Sequence, residues 1–400
     1  MGQWHMVMAG DRETRRDVAW ATAREYAHAA AEPGPPVRVA LGRAAGLVLA
    51  EDLVASTPLP AFDTSAMDGF AVAGAGPWVI VGSARPGRSW AAGRLEDGQA
   101  VEISTGAVVP PGARAVLPVE SAVPGDGEVA GPELPSGKHI RYAGEDASPG
   151  SLLAPAGTRA RPALLGLAAS CGYDELLVRR TPTVRGIVTG DELVHDGRPG
   201  PGRVRDALGP LLPSLVAELG GRLDGLVHVP DRPDTVLGKA VEAAGDAEVV
   251  VVTGSTSVGT TDGLRRLLSE CDARWIVDGV ACRPGHPQLL ARPRGGPYVV
   301  GLPGNPFAAL TAAYTLLGPL LAGLSRRPLG RLPQAPLITP VAAASDRTRI
   351  VPVVWDGPGV RPVGGDRPAF LNGAVLGDAL AAIPPGVEPG RPVPLVLLRD

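Results

Sequence analysis

Across residues 179–325, short apolar runs alternate with longer stretches in which apolar positions recur at helical spacing. The apolar runs at 183–188, 226–229, 248–253 and 298–301 predict strands. The stretches at 207–219, 235–244, 262–269 and 307–321 predict helices. This β-α alternation predicts a doubly wound α/β domain built on a parallel sheet. Elsewhere the texture differs. Residues 12–32 read as a helix with Val18, Ala19, Thr22, Tyr26 and Ala29 near one face, and 41–49 reads as a second helix after a Pro-Gly-Pro-Pro break. From 58 to about 140, short runs such as Val79-Ile80-Val81 and Ala115-Val116-Leu117 sit between Gly and Pro, as in a small β-rich domain. Residues 145–178 return to a helical pattern, best developed over 161–171. Packing between the flanking helices would make the β-rich part an insertion in a helical module. From 331 onward, Pro-punctuated strands such as 395–398 predict a small β domain. The expected division is 12–57 with 141–178, then 58–140, 179–326 and 327–400.

Length and charge narrow this picture. A chain of 400 residues exceeds one ordinary core, so two to four domains are expected. A net charge of −3 provides no general field for a polyanion, and no nucleic-acid partner is expected. Cys171, Cys271 and Cys282 lack metal-ligand spacing and read as reduced, mostly buried thiols of a cytoplasmic protein. The start of the chain has no apolar signal core, and no run reads as a membrane span.

The chemistry concentrates where predicted strands end. Thr253-Gly254-Ser255-Thr256-Ser257-Val258-Gly259 follows Val249 to Val252, and Gly301-Leu302-Pro303-Gly304-Asn305-Pro306 follows Tyr298-Val299-Val300. Strand–turn–helix units with small residues at the turn leave backbone N–H groups to face an anion, here at the carboxyl ends of parallel strands. Pro303 and Pro306 stiffen the second turn, and Asn305 suits unusual backbone angles. Thr189-Gly190-Asp191-Glu192 forms a third turn, and Asp262 closes the Gly-rich one. Carboxylates repel an anion unless a divalent cation bridges them to it. Helix capping is the alternative reading of the same carboxylates.

Six segments together resemble one family. Pro58 to Val72, Ser104 to Gly112, Arg141 to Asp146, Thr189 to Leu193, Ser257 to Asp262 and Leu302 to Pro306 resemble, in order, the segments of the molybdopterin molybdenumtransferases, the MoeA and gephyrin E-domain family. The resemblance implies four domains: a helical linker domain carrying an inserted β-rich domain, a MoaB/Mog-like α/β domain, and a C-terminal β barrel. It implies an elongated homodimer whose site lies between the α/β domain of one subunit and the β-rich and C-terminal domains of the other. The implied reaction consumes adenylylated molybdopterin and molybdate, inserts molybdenum and releases AMP with Mg²⁺. Asp68, Thr105, Glu192 and Asp262 would be catalytic, and Glu192, Asp231 and Asp262 would hold the metal. Gly254, Ser255, Ser257 and Gly259, with Pro303, Gly304, Asn305 and Pro306, would cradle the pterin phosphate. Arg141, Asp146, Arg283, His286, Arg347 and Arg349 would complete the ligand contacts, the last two at molybdate. A Mog-like molybdopterin adenylyltransferase upstream, and molybdoenzymes or their chaperones downstream, would be partners.

The chain also departs from the family pattern. Ser255 stands where a Gly is frequent, His286 where a Lys is frequent, and Gly279 where many relatives have a basic residue. Asp231-Arg232 replaces an Asp-Asp pair, Asp206-Ala207-Leu208 an Asp-x-Asn segment, and Arg367-Pro368-Ala369-Phe370 a Gly-rich turn. Three readings follow: an active molybdenum-inserting enzyme, a catalytically impaired paralogue that binds pterin or acts as a scaffold, and a relative with pyrophosphatase-type chemistry. Glu192, Asp262, Asp68 and Thr105 favour the first, whereas Arg232, His286 and Gly279 favour the second.

Overall fold

The computed structural model describes residues 16–88, 90–231, 234–256, 263–341, 346–388 and 390–398. The chain divides into two compact units, Val37–Val178 and a larger one formed by Met1–Pro36 with Arg179–Asp400.

In the larger unit, Arg222–Val229, Thr183–Thr189, Val249–Gly254 and Tyr298–Pro303 lie side by side as parallel strands in that order. Val249 to Val252, Val299 and Val300 are wholly buried. Burial on both faces explains why these strands read as unbroken apolar runs. One face is covered by Trp20–Ala29, Leu208–Glu218 and Pro306–Leu324, through Trp20, Leu212, Phe307 and Leu320. The opposite face is covered by Asp234–Ala243 and Gly263–Glu270, through Leu237, Val241, Leu264 and Leu268. The domain is therefore doubly wound, as its β-α alternation predicts.

Some elements differ from expectation. An antiparallel hairpin, Arg274–Arg283 with Leu289–Arg292, extends the parallel strands beyond Tyr298–Pro303. Arg16–Ala19 is a strand parallel to Arg274–Arg283, with Val18 opposite Val280, so the helix begins only at Trp20. That helix belongs to the larger unit, where Trp20 Nε1 donates to Thr315 Oγ1 at 3.0 Å. Pro306–Leu324 has the length and apolarity of a membrane span, contrary to the sequence reading, but 89% of its apolar window is buried within the protein. It contains a π-helical turn, Ala313–Leu317, just before Pro319, whose missing N–H interrupts the regular ladder.

Past this domain, Thr348–Asp356, Ala379–Ile383, Pro392–Leu397 and Gln334–Pro336 form an antiparallel sheet, and Gly359–Pro362 pairs on the outer side of Thr348–Asp356. A bridge from Leu337 to Val360 joins the two edges and closes a small barrel around Val353, Ala381, Ile383 and Leu395. Cys282 opposite Thr348, and Arg283 opposite Arg349, join the barrel to the α/β sheet.

The regular structure of the smaller unit is mostly strand. Its main sheet runs Val123–Pro124, Glu128–Ala130, Trp78–Ala84, Gln99–Ile103, Gly69–Val72 and Ala115–Pro118. The helical linker expected around it is reduced, within this unit, to Pro162–Ser170 and the 3₁₀ turn Leu41–Arg43. Residues 41–49 do not continue as a helix because Gly46 adopts φ +79° after the turn Leu41–Arg43. Leu152–Ala154 and Glu175–Arg179 are strands within the stretch read as helical.

The close approach of two helices can be tested. A Cβ at Gly323 would lie 2.4 Å from His28 O and 2.6 Å from Ala31 Cβ. Gly323→Ala is expected to destabilise the larger unit by about 1–3 kcal/mol, read as a lower thermal midpoint.

Candidate functional site

The parallel strands end nearly level, with Thr189 opposite Val229, Val188 opposite Thr253, and Gly254 opposite Pro303. Residues 190–192, 231, 255 and 304–306 therefore share one edge. Gly254 has φ +103°, and an added Cβ would meet Thr189 Oγ1 at 2.4 Å and Thr189 O at 2.7 Å. The turn thus depends on glycine. Thr189 Oγ1 donates to Thr253 O at 2.9 Å and lies 3.0 Å from Ser255 Oγ. The Ser255 side chain is buried in this network, so its hydroxyl is spent inside the protein.

Asp191 and Asp231 are coupled across adjacent strand ends. Asp191 N–H donates to Asp231 Oδ2 and Asp231 N–H donates to Asp191 Oδ1, each at 3.2 Å. Glu192 follows, exposed, with its carbonyl accepting Val204 N–H at 2.8 Å. These carboxylates are hard oxygen donors at one edge, a set suited to Mg²⁺. Asp191 was absent from the expected metal set, and its proximity to Asp231 arises only from strand pairing. The segment after Glu192 continues into the strand Leu193–Val194, so Asp191 and Glu192 do not cap a helix. Ser257, Gly259 and Asp262 lie outside the described residues.

The Pro303–Pro306 turn differs from its sequence reading in two ways. Asn305 has φ −73° and ψ 125°, an ordinary extended conformation. In addition, Phe307 and Ala308 N–H donate to Pro368 O at 2.9 and 3.1 Å. Two N–H groups at this helix start are therefore already satisfied by the segment 367–370, which departs from the family pattern. Gly304 and Asn305 remain exposed, and Pro306 is half-buried.

Three guanidinium groups and one imidazole gather where the sheet meets the barrel. Arg283 and Arg349 are register partners, Arg347 lies on the incoming strand segment, and His286 lies in the turn after Arg283. Three of them face carboxylates: His286 Nε2 lies 2.7 Å from Asp17, Arg347 2.6 Å from Asp346, and Arg349 2.8 Å from Asp366. Gly279 has φ +86°, and a Cβ there would lie 2.7 Å from Asp17 Oδ1. The changes at 279 and 286 therefore belong together, because Asp17 occupies the space above Gly279 and pairs with His286. Burial pushes the neighbouring Cys282 thiol up to about 12, which keeps it protonated at neutral pH.

In the smaller unit, Asp68 Oδ1 accepts Thr105 N–H at 2.8 Å. Arg141 pairs with Thr64, Gly106 N–H donates to Ser65 O at 2.8 Å, and Asp146 N–H donates to Leu59 O at 2.9 Å. The 58–70 run thus links Asp68, Thr105, Arg141 and Asp146, and all four are exposed.

A further cluster escaped the sequence reading. His228 Nε2 lies 2.9 Å from Asp206 Oδ2, His195 Nδ1 lies 3.8 Å from the same oxygen, and the imidazole centroids are 3.9 Å apart. Asp206 Oδ1 accepts N–H from Leu208 and Gly209 at 2.9 Å each, capping the helix. Burial opposes ionisation of Asp206, but hydrogen bonds from Gly209, His228 and Leu208 outweigh it and hold the pKa below its usual value. Neither histidine has a recognisable ligand spacing in the sequence.

Comparison with known proteins agrees with this architecture. Three family models match in chain order: the MoeA N-terminal region (domains I and II) over residues 18–172, a probable molybdopterin binding domain over 186–323, and the MoeA C-terminal region (domain IV) over 334–398. The α/β domain and its flanking β units are thus those of a multidomain protein of molybdopterin biosynthesis type. The chain belongs to the MoeA family. It is 36% identical over 303 residues to molybdopterin molybdenumtransferase 2 of Mycobacterium tuberculosis H37Rv, covering 72% of this chain and 74% of that protein. It is 33% identical over 353 residues to molybdopterin molybdenumtransferase 1 of the same strain, covering 80% and 82%. Among solved structures, the molybdopterin biosynthesis MoeA protein from Pyrococcus horikosii aligns with a TM-score of 0.75 at 28% identity, covering 96% of this chain and 100% of that one.

Two substitutions test this construction. Gly254→Ala is expected to cost at least about 2 kcal/mol in chemical denaturation, because backbone strain and the contact with Thr189 combine. Asp206→Ala, compared in chelator-treated protein, should lose about 1–2 kcal/mol at neutral pH. Because the folded-state pKa of Asp206 is lowered, its contribution is present above the unfolded-state value and disappears as pH falls through the folded value. The unfolding midpoints of wild type and variant should therefore converge in acid.

Proposed function

We propose that this protein is a molybdopterin molybdenumtransferase, inserting molybdate into adenylylated molybdopterin with release of AMP in molybdenum cofactor biosynthesis. The observation that carries this reading is the carboxylate edge at Asp191, Glu192 and Asp231, within a domain matching the probable molybdopterin binding family. The names of relatives 36% and 33% identical support the same activity.

In this reading, Asp191, Glu192 and Asp231 would hold Mg²⁺, and Asp262 is the further ligand the sequence suggests. When bound, the ion would supply charge neutralisation at the pyrophosphate. Gly254 allows the backbone to turn beside the phosphate, and Gly304 and Asn305 present exposed backbone on the neighbouring strand end. Arg283, His286, Arg347 and Arg349 receive the molybdate oxyanion, which must compete with Asp17, Asp346 and Asp366 for three of them. We further propose a cytoplasmic homodimer, in which Asp68, Thr105, Arg141 and Asp146 of one protomer serve the α/β edge of its partner. The Asp68 bond to Thr105 N–H fixes one carboxylate oxygen and leaves the other to accept from and orient water. A Mog-like adenylyltransferase would supply the substrate, and molybdoenzymes or their chaperones would receive the product.

A second reading, a catalytically impaired pterin-binding or scaffold paralogue, gains one structural observation beside the changes at Arg232, His286 and Gly279: the Phe307 and Ala308 N–H groups are already taken by Pro368. A single assay separates the two. Purified protein given Mg²⁺, molybdate and adenylylated molybdopterin should release AMP, and Glu192→Ala should slow release by about 100-fold. Release no faster than in the variant sinks the enzyme reading. Retention of adenylylated molybdopterin without release would then mark the paralogue.

A further inference from the structure

The cluster of His195, Asp206 and His228 has a chemistry different from the carboxylate edge. Its ligand atoms lie within 4.8 Å of one another. Bonds of about 2.0–2.1 Å in a tetrahedral site place ligand atoms roughly 3.3 Å apart. The two distances to Asp206 Oδ2, 2.9 Å from His228 and 3.8 Å from His195, lie on either side of that value. Small side-chain movements would accommodate an ion.

The three residues are positioned before any ion arrives. Asp206 is 5% exposed, and its Oδ1 is spent on the helix N–H groups, which leaves Oδ2 as a single fixed donor. Its N–H donates to Val194 O at 3.0 Å, tying it to the strand that precedes His195. His228 lies on Arg222–Val229 in register with Val188 of the neighbouring strand. Backbone donors behind a ligating carboxylate are the supporting interactions that metal sites use. The side chains of His195 and His228 are 50% and 34% exposed, so solvent reaches the cluster.

A helix cap with a His228–Asp206 hydrogen bond accounts for two of the three residues. It does not account for His195, whose 3.8 Å separation exceeds a hydrogen bond and whose ring lies against His228. We propose that His195, Asp206 and His228 form a transition-metal site of the zinc class, with one coordination position open to water. Two imidazole nitrogens select borderline ions such as Zn²⁺ or Co²⁺ over Mg²⁺, which prefers oxygen donors. This site is therefore separate from any Mg²⁺ held by Asp191, Glu192 and Asp231. A bound ion would clip the loop carrying His195 to the helix start and the strand end.

The test uses the full chain, stripped with chelator and titrated with Zn²⁺ alone against a chromophoric competitor. His195→Gln removes a half-exposed ligand and should leave the circular dichroism spectrum and thermal midpoint of the stripped protein unchanged. Wild type should bind one Zn²⁺ that excess Mg²⁺ does not displace. His195→Gln and His228→Gln should each weaken binding by about tenfold or more. Co²⁺ should give a four- or five-coordinate visible spectrum in wild type that disappears in the double variant. Failure of wild type to bind Zn²⁺, or equal Zn²⁺ binding by wild type and the double variant, overturns the proposal. The readout is metal binding, so it is independent of the AMP-release assay.

Discussion

The strand Val249–Gly254 is sealed on both faces, and the rest of the larger unit is arranged around that constraint. Val249 to Val252 expose nothing, and their backbone groups are satisfied by Thr183–Thr189 on one side and Tyr298–Pro303 on the other. A strand in that position can carry polar function only where it ends. Helices cover both sheet faces, so the chemistry is displaced to the carboxyl edge. There Gly254 turns so tightly against Thr189 that no Cβ fits. On the other side of Thr183–Thr189, pairing with Arg222–Val229 places Asp191 beside Asp231.

Electrostatic compensation is the second theme. The arginines and His286 at the sheet–barrel junction do not form an open positive pocket, because Asp17, Asp346 and Asp366 sit against His286, Arg347 and Arg349. The helix start after Pro306 is likewise partly satisfied by Pro368 O. An oxyanion bound here would have to exchange partners with these carboxylates rather than fill an unpaired site. Such exchange lowers the net gain of each contact, since the displaced carboxylate must be resolvated. The departures at Gly279, His286 and 367–370 are thus linked by contact to segments elsewhere in the unit.

Legibility in the sequence follows the range of the interactions involved. The parallel strands and their helices could be read because burial imposes local periodicity. Arg274–Arg283 could not, because Asp278 and Gly279 interrupt its apolar run. Asp278 is neutralised by Arg16, 3.4 Å away, and by Arg265, both distant in sequence. The linker was read as too helical because the apolar spacing at 41–49 outweighed Gly46, whose positive φ ends the turn. At the site, the Gly254 turn was readable from composition, and Asp68 and Thr105 were named from two matching segments, but the bond between them was not. The pairing of Asp191 with Asp231, of Asp17 with His286, and of Pro368 with the helix start depends on tertiary proximity. So does the convergence of His195, Asp206 and His228.

These features place two chemically distinct donor sets on consecutive parts of one loop system. Asp191 and Glu192 leave the end of Thr183–Thr189 as oxygen donors. His195 follows within the same excursion, and Asp206 closes it at the next helix. The backbone pairing of Leu193–Val194 with Val204–Arg205 holds the two sets apart while joining them mechanically. Arg203 adds a further tie by donating to the Asp191 carbonyl. His195 and Asp206 are therefore joined to Glu192 and Asp191 by paired backbone. Oxygen-only and nitrogen-containing donor sets prefer different ions. The two sets would therefore select different ions and would not compete for one.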